Sequence, residues 1–215
     1  MTAPAPRGRV FLLSPANCGG ERAQLVFREE AEFELARRLR SREGVMLGEV
    51  MSFLSGLYFR GKLTYALTFA RPPAGIDGTL VITPNEGLLP PYLHVRLPRL
   101  RKFATVNISE NDSRYRRPLE RDARRLLAAV GPDCEVVLLG SVATGKYVDI
   151  LLEIFGERLL FPFEFVGRGD MSRGGLMLRC VDAGRELTYV PVSGAVRHGP
   201  RPPRLAPRRW LAPRR

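Results

Sequence analysis

The chain predicts a single α/β domain with a central, mostly parallel sheet flanked by helices, in a Rossmann-like or glycosylase-like three-layer arrangement. Three observations predict it. Four apolar runs, at 10–13, 80–82, 136–139 and 159–165, each stop in a short loop of small and polar residues. Between them lie stretches with helical spacing or helical charge order, the strand–helix rhythm of a parallel sheet. At 215 residues and 45% apolar side chains, the chain is long and apolar enough for one substantial core. Open sheets of this kind bind ligands outside the carboxyl ends of their strands, so the four loops are where a site is expected.

The elements follow in order. After the strand at 10–13, residues 30–42 read as a helix. Glu30, Glu32 and Glu34 come early and Arg37, Arg38, Arg40 and Arg42 late, matching the helix dipole. Residues 47–57 and 60–70 continue the helical pattern with a break at Gly56. The segment 71–75 is a breaker, and Asp77-Gly78 is a turn before the second strand. Pro90-Pro91 closes the second loop, and 93–106 reads as irregular or weakly extended. Residues 109–113 are a helix-start cluster. A helix over 116–130 follows, with Pro118 in its first turn. Leu119, Ala123, Leu126, Leu127 and Val130 form its apolar stripe, and Gly131 ends it. The third strand, a loop and a helix reaching Phe155 come next, then the fourth apolar run, a helix over 171–183 and a strand over 186–192. The domain is expected over 1–193.

Composition narrows the class. The formal charge is +12, but residues 194–215 contain seven Arg, five Pro and no acid, leaving +5 for residues 1–193. Such a tail cannot bury enough apolar surface to fold alone, so it is expected to be disordered or loosely docked. It reads either as a phosphate-binding arm, with Arg208 and Arg209 among its contacts, or as a solubilising tail. No stretch reaches the roughly 18 uninterrupted apolar residues of a membrane span, so no membrane partner is expected. The first residues lack the apolar middle of a signal peptide, and Cys18, Cys134 and Cys180 lie far apart. A cytoplasmic protein with no disulfide framework is therefore expected. With only His94 and His198, neither a metal site, a cofactor nor a Ser-His-Asp triad is expected.

Four loops could carry chemistry. Gly140, Ser141, Thr144, Gly145 and Lys146 stand in a G-x-x-x-x-G-K phosphate-loop pattern between strand and helix. Tyr147 follows where the motif needs Ser or Thr for magnesium, so NTP hydrolysis is not expected. A bound phosphate or carboxylate and a plain strand-to-helix turn remain the two readings. The loop with Gly167, Arg168, Gly169, Asp170, Ser172 and Arg173 combines glycines, which admit a ligand close to the backbone, with two phosphate-pairing Arg. Asp170 there is a helix cap or a general acid/base. Asn17, Gly19 and Gly20 offer an amide and backbone donors, and Thr83, Asn85 and Glu86 a second polar loop. Asn17 or Asn85 could read a base edge, and Glu86 shares the acid/base candidacy. Tyr58, Arg60, Lys62 and Tyr65 interleave aromatic and basic groups, which suits base stacking and phosphate pairing. Tyr58, Lys62 and Tyr65 share one helix face. The plainer alternative makes Leu57, Phe59, Leu63 and Leu67 the core and leaves the others solvated.

Two segments resemble known families. Phe11-Leu-Leu-Ser-Pro-Ala16 resembles the strand and Ser-Pro-Ala opening of the YaaA peroxide-stress proteins, which also place a glycine-containing loop before a late helix. Their motif continues with Lys, where this chain has Asn17. Ile82-Thr-Pro-Asn-Glu-Gly-Leu-Leu-Pro90 resembles a stretch of the accessory domain in archaeal tRNA-guanine transglycosylase and archaeosine synthase proteins. The carry-over covers Ser14, Pro15 and Ala16 in one case, and Thr83, Pro84, Gly87 and Pro90 in the other. Together they imply a stress-response or nucleic-acid-linked α/β domain handling DNA or tRNA, or a modified nucleobase, with no catalytic residue transferred. The resulting expectation is a nucleobase- or nucleotide-processing enzyme, a hydrolase or glycosidase if catalytic. The alternatives are a non-catalytic DNA- or RNA-binding protein using its basic tail, or a nucleotide- or sugar-phosphate-binding domain.

Overall fold

The structure is a computed structural model and describes residues 7–143 and 145–206. In chain order its elements are β1 (Arg9–Leu13), α1 (Glu21–Phe27), α2 (Glu34–Arg40), β2 (Val45–Met46), α3 (Leu47–Ser55), α4 (Leu57–Phe69) and β3 (Thr79–Ile82). Then come β4 (Leu88–Leu89), β5 (His94–Val95), α5 (Leu97–Ala104), α6 (Ser113–Ala129), β6 (Glu135–Leu139), α7 (Gly145–Phe155), β7 (Leu159–Pro162), α8 (Asp170–Asp182) and β8 (Tyr189–Pro191).

Six strands form one sheet in the order β4-β3-β1-β6-β7-β8. The four central strands are parallel, with Leu12 opposite both Leu80 and Leu138, whereas the edge strands β4 and β8 run antiparallel. The mostly parallel α/β fold expected from the sequence is therefore present. Beyond Arg9, Thr79 and Glu135 at their starts, the central strands are apolar at every position because both faces are covered. Phe11, Leu13, Val81, Val137 and Leu139 pack into the layer that holds α1–α5 and α8. Val10, Leu12, Leu80, Ile82, Val136 and Leu138 pack on α6 and α7. The edges are stubs: β4 is two residues followed by Pro90-Pro91, and β8 is three residues ending on Pro191.

The chain leaves β1 towards the first layer and leaves β6 towards the second. These strands are neighbours, so their exits diverge and open a crevice between them. At the opposite end of the sheet Arg9 joins Glu135 (2.8 Å) and Glu186, and Glu186 also meets Arg71.

Several elements differ from the sequence reading. The segment 93–106 contains α5, whose Leu97, Leu100 and Phe103 point inwards at three-residue spacing. Its two Arg and Lys102 hid that short stripe. The helix expected over 30–42 is the shorter α2, and it is preceded by an unanticipated α1 that buries only Ala23 and Val26. Asp112 caps α6 by accepting the Arg114 N–H at 2.9 Å, so the helix begins at Ser113. Pro118 consequently sits inside α6 rather than in its first turn, and forgoes one helical hydrogen bond. Of the C-terminal segment, residues 194–206 run without helix or strand. Ala195 packs on the second core layer, Arg197 lies 3.7 Å from Asp149, and Arg179 donates to the Ala206 carbonyl. Arg208, Arg209 and Thr144 lie outside the described residues.

Candidate functional site

The crevice between the ends of β1 and β6 holds a cavity of about 750 Å³. One wall is the loop after β1, from Ser14 to Gly19, and another is Ser141, Lys146 and Tyr147 from the loop and first turn after β6. Tyr58 on α4 and Asp170 at the start of α8 form the third. Phe103 and Asn107, from the end of α5 and the segment beyond it, close the fourth. Lys146 and Asp170 are the charged residues of this lining, so the pocket carries no net formal charge.

The crossing of α4 and α8 sets the third wall. A Cβ on Gly61 would lie 2.7 Å from the Gly174 carbonyl oxygen, and one on Gly174 would lie 2.7 Å from the Leu57 carbonyl oxygen. The two helices touch backbone to backbone, which only glycine allows. That contact buries whatever projects between them. Lys62 is 1% exposed and Arg173 is 9% exposed.

Lys62 donates to the Ser14 carbonyl oxygen at 2.5 Å and to Ser14 Oγ at 2.8 Å. Its ammonium also lies over the Tyr58 and Phe59 rings, at 4.5 and 4.8 Å from their centroids. No carboxylate makes an ion pair with it among the described residues. Burial lowers its pKa to about 7, with the Asp170 carboxylate opposing that fall and the Arg173 guanidinium adding to it. The Tyr58 hydroxyl is buried on the cavity wall and forms no well-formed hydrogen bond among the described residues, with the Arg173 guanidinium in loose contact. Desolvation raises its pKa, and the charge of Arg173 pulls the other way.

The loop after β6 is built around Tyr147. The Tyr147 hydroxyl accepts the Ser141 N–H at 3.0 Å, and Ser141 Oγ accepts the Ala143 N–H at 3.4 Å. Two amide donors that a phosphate cradle would need are thereby used internally, and the Asp149 carboxylate crowds Gly145. Of the two readings of Gly140, Gly145 and their neighbours, these bonds favour the plain strand-to-helix turn over a phosphate cradle. Lys146 alone of its residues offers a cation to the cavity.

The other predicted residues divide sharply. Asn17, Gly19, Tyr58, Ser141, Lys146 and Asp170 share the cavity. Asn17 Oδ1 accepts the Gly19 N–H at 3.0 Å, and the Asn17 amide packs against Gly20. Glu86 does not join them. Arg99 grips it with two donors, including Nε at 3.0 Å, beside a separate surface hollow. Asn85 donates to the Lys102 carbonyl, and Thr83 Oγ1 donates to the Gly87 carbonyl and accepts the Glu86 N–H, so that loop closes on itself. Arg168 donates to the Glu164 carbonyl and to Ser172, while Gly167 lies against the Pro200 backbone. Arg173 donates twice to the Phe165 carbonyl and lies 3.6 Å from Asp170. These two Arg brace the loop instead of lining the cavity. Gly169 is the N-cap of α8, and Asp170 occupies the first helical position without capping. Arg60 is exposed on α4, away from this lining.

Sequence reasoning placed Ser14 only within a family resemblance and left Tyr147 and Asn107 out. The one available signal was Ser14 following directly on an apolar strand. Cys18 is buried, donates to the Ala16 carbonyl and has its pKa pushed up to about 12 by desolvation, which removes it as a nucleophile. Compared with family models, curated proteins and solved structures, the chain matches none.

Proposed function

We propose that this chain is a nucleic-acid-associated protein of Rossmann-like or glycosylase-like architecture that processes a nucleobase or nucleotide in the crevice between β1 and β6. The observation that carries the reading is the buried Tyr58 hydroxyl on the cavity wall, which forms no well-formed hydrogen bond among the described residues and has only a loose contact with the Arg173 guanidinium. A buried hydroxyl without a partner costs stability unless a ligand supplies one. Around it stand the buried rings of Phe103 and Tyr147 in the cavity wall and the exposed amide side chains of Asn17 and Asn107. That set suits a flat ring with donors and acceptors on its rim. Asp170 is two-thirds exposed at the cavity and is the carboxylate available as general acid/base. Lys146 is the cation available to a phosphate. Ser14 to Ala16 and Pro84, from the two family-like segments, line the same cavity, which supports the nucleobase reading.

Thermal-shift titration of the full chain against nucleobases, nucleosides, nucleotides and tRNA tests it. A true ligand raises the melting temperature with concentration. Asp170→Asn is expected to keep that shift and lose turnover. A melting temperature unmoved across the whole panel would remove the reading.

A further inference from the structure

We infer that Ser14 is a nucleophile with Lys62 as its base, and that the cavity accepts a neutral carboxylic ester or amide for acyl transfer to Ser14. The inference goes beyond the nucleobase reading and stands without it, because it needs only an acyl carbon beside Ser14.

Four observations converge. Ser14 lines the cavity although it is only 5% exposed, so a ligand there would meet it out of bulk solvent. Lys62 approaches that hydroxyl from behind, at 2.8 Å, and makes no ion pair among the described residues. Its second bond, to the Ser14 carbonyl, holds the amine in place while the first is made and broken. Gly140 leaves the space beside Ser14 clear: a Cβ there would lie 2.9 Å from Ser14 Cβ and 3.0 Å from the Tyr147 hydroxyl. Tyr147 accepts the Ser141 N–H and its hydroxyl also contacts the Ser14 hydroxyl, so it sits against the nucleophile on the side away from Lys62.

A lysine serving only to brace a loop would keep its charge, and a fully buried unpaired charge is strongly disfavoured. A neutral amine resolves this and supplies a base. The groups facing Lys62 are Tyr58 on its own helix, Asp170 and Arg173 on α8, and Tyr147 on α7 across Ser14. Their balance with burial leaves the amine neutral above about pH 7.

The chemistry balances with water as the only co-reactant. Lys62 Nζ takes the Ser14 proton as Oγ bonds to the carbonyl carbon, and the carbonyl electron pair moves onto its oxygen. Collapse breaks the bond to the leaving oxygen or nitrogen, which receives the proton from the Lys62 ammonium. Water, giving a proton to Lys62, then cleaves the Ser14 ester, and that proton returns to Oγ. The Tyr58 O–H is a donor for the transient oxyanion. A carbonyl is favoured over a phosphoryl centre because the lining offers one cation against one carboxylate, whereas phosphoryl transfer needs several positive groups around its oxygens.

A fluorophosphonate probe on the full chain, followed by peptide mass mapping, tests the assignment. One adduct on Ser14 is expected, absent in Ser14→Ala, with a rate that climbs through about pH 7 and then levels. Lys62→Met should slow labelling by about a hundredfold or more. No Ser14 adduct at any pH from about 6 to 9 would overturn the inference, as would folded Lys62→Met labelled at the normal rate. Should Lys62→Met not fold, the unmodified protein decides: a labelling rate flat across about pH 6 to 8 overturns it too. Neither result bears on nucleobase binding, which the thermal-shift panel reads separately.

Discussion

Lys62 shows what a residue's type reveals and what it conceals. The sequence groups it with Tyr58 and Tyr65 on one helix face, and that grouping holds: all three side chains point inwards. The face was expected to meet nucleic acid or solvent, and it meets α8. In the plainer alternative Leu67 was core, yet it is 61% exposed. Nothing in the chemistry of Lys announces burial. The cause is Gly61 one position earlier, which admits a second helix over the amine. Stability should register the result. Folding lowers the Lys62 pKa from an ordinary value near 10.5 to about 7, so between those limits the unfolded chain holds a proton that the folded chain has released. Stability must therefore rise with pH above about 7, by roughly 1 kcal/mol per unit from this group. The buried thiols act oppositely. Cys18, Cys134 and Cys180 all have raised pKa values, so above about pH 9 the unfolded chain loses protons that the folded one keeps. Urea unfolding across this range should show a maximum near pH 8 to 9. Lys62→Met should flatten its rising limb, and an unchanged limb would refute the assignment.

Among the elements, the contact of α4 with α8 decides the site. Gly174→Ala would drive a methyl into the α4 backbone and should cost about 1 to 3 kcal/mol. The neighbouring Gly175→Ala meets only the end of Leu205, at 3.7 Å, and should stabilise α8 by roughly 0.5 to 1 kcal/mol. Opposite signs at adjacent positions, read by thermal melting, would establish that the crossing is set by close approach rather than by helix propensity. Two equal losses would refute it. The sequence made the long elements legible, because the central strands are apolar on both faces and α6 carries a clear stripe. It concealed α1 and α5, where two or three inward residues stand among as many charged ones. The helix over 171–183 was expected, but nothing in its spacing showed that Gly174 within it is a packing surface. The site was legible as a place, at the ends of β1 and β6. Its membership was not, because side chains such as Arg173 and Glu86 found partners that spacing along the chain cannot show.

For the whole molecule, β1 and β6 lie at the centre of the sheet, each paired on both sides, and both helical layers cover them. Their amides should exchange slowest with solvent, and those of β4 and β8 fastest among the strands. The reverse order would place the stable unit elsewhere. The seven Arg of residues 194–215 hold more than half of the formal excess charge. On the proposed nucleic-acid association, deleting that segment should weaken binding and reduce the slope of log affinity against log salt by nearly one for each phosphate the segment neutralises. An unchanged slope would move the binding surface onto the domain. The short rims of the sheet have a bearing on behaviour at high concentration. A lateral partner would have to join a two-residue stub followed by paired prolines, or a three-residue stub that ends on Pro191, and neither offers a run of free amides to copy. Self-templated polymerisation by strand addition is therefore blocked at both margins, and a crowded solution of this protein should stay free of cross-β fibres.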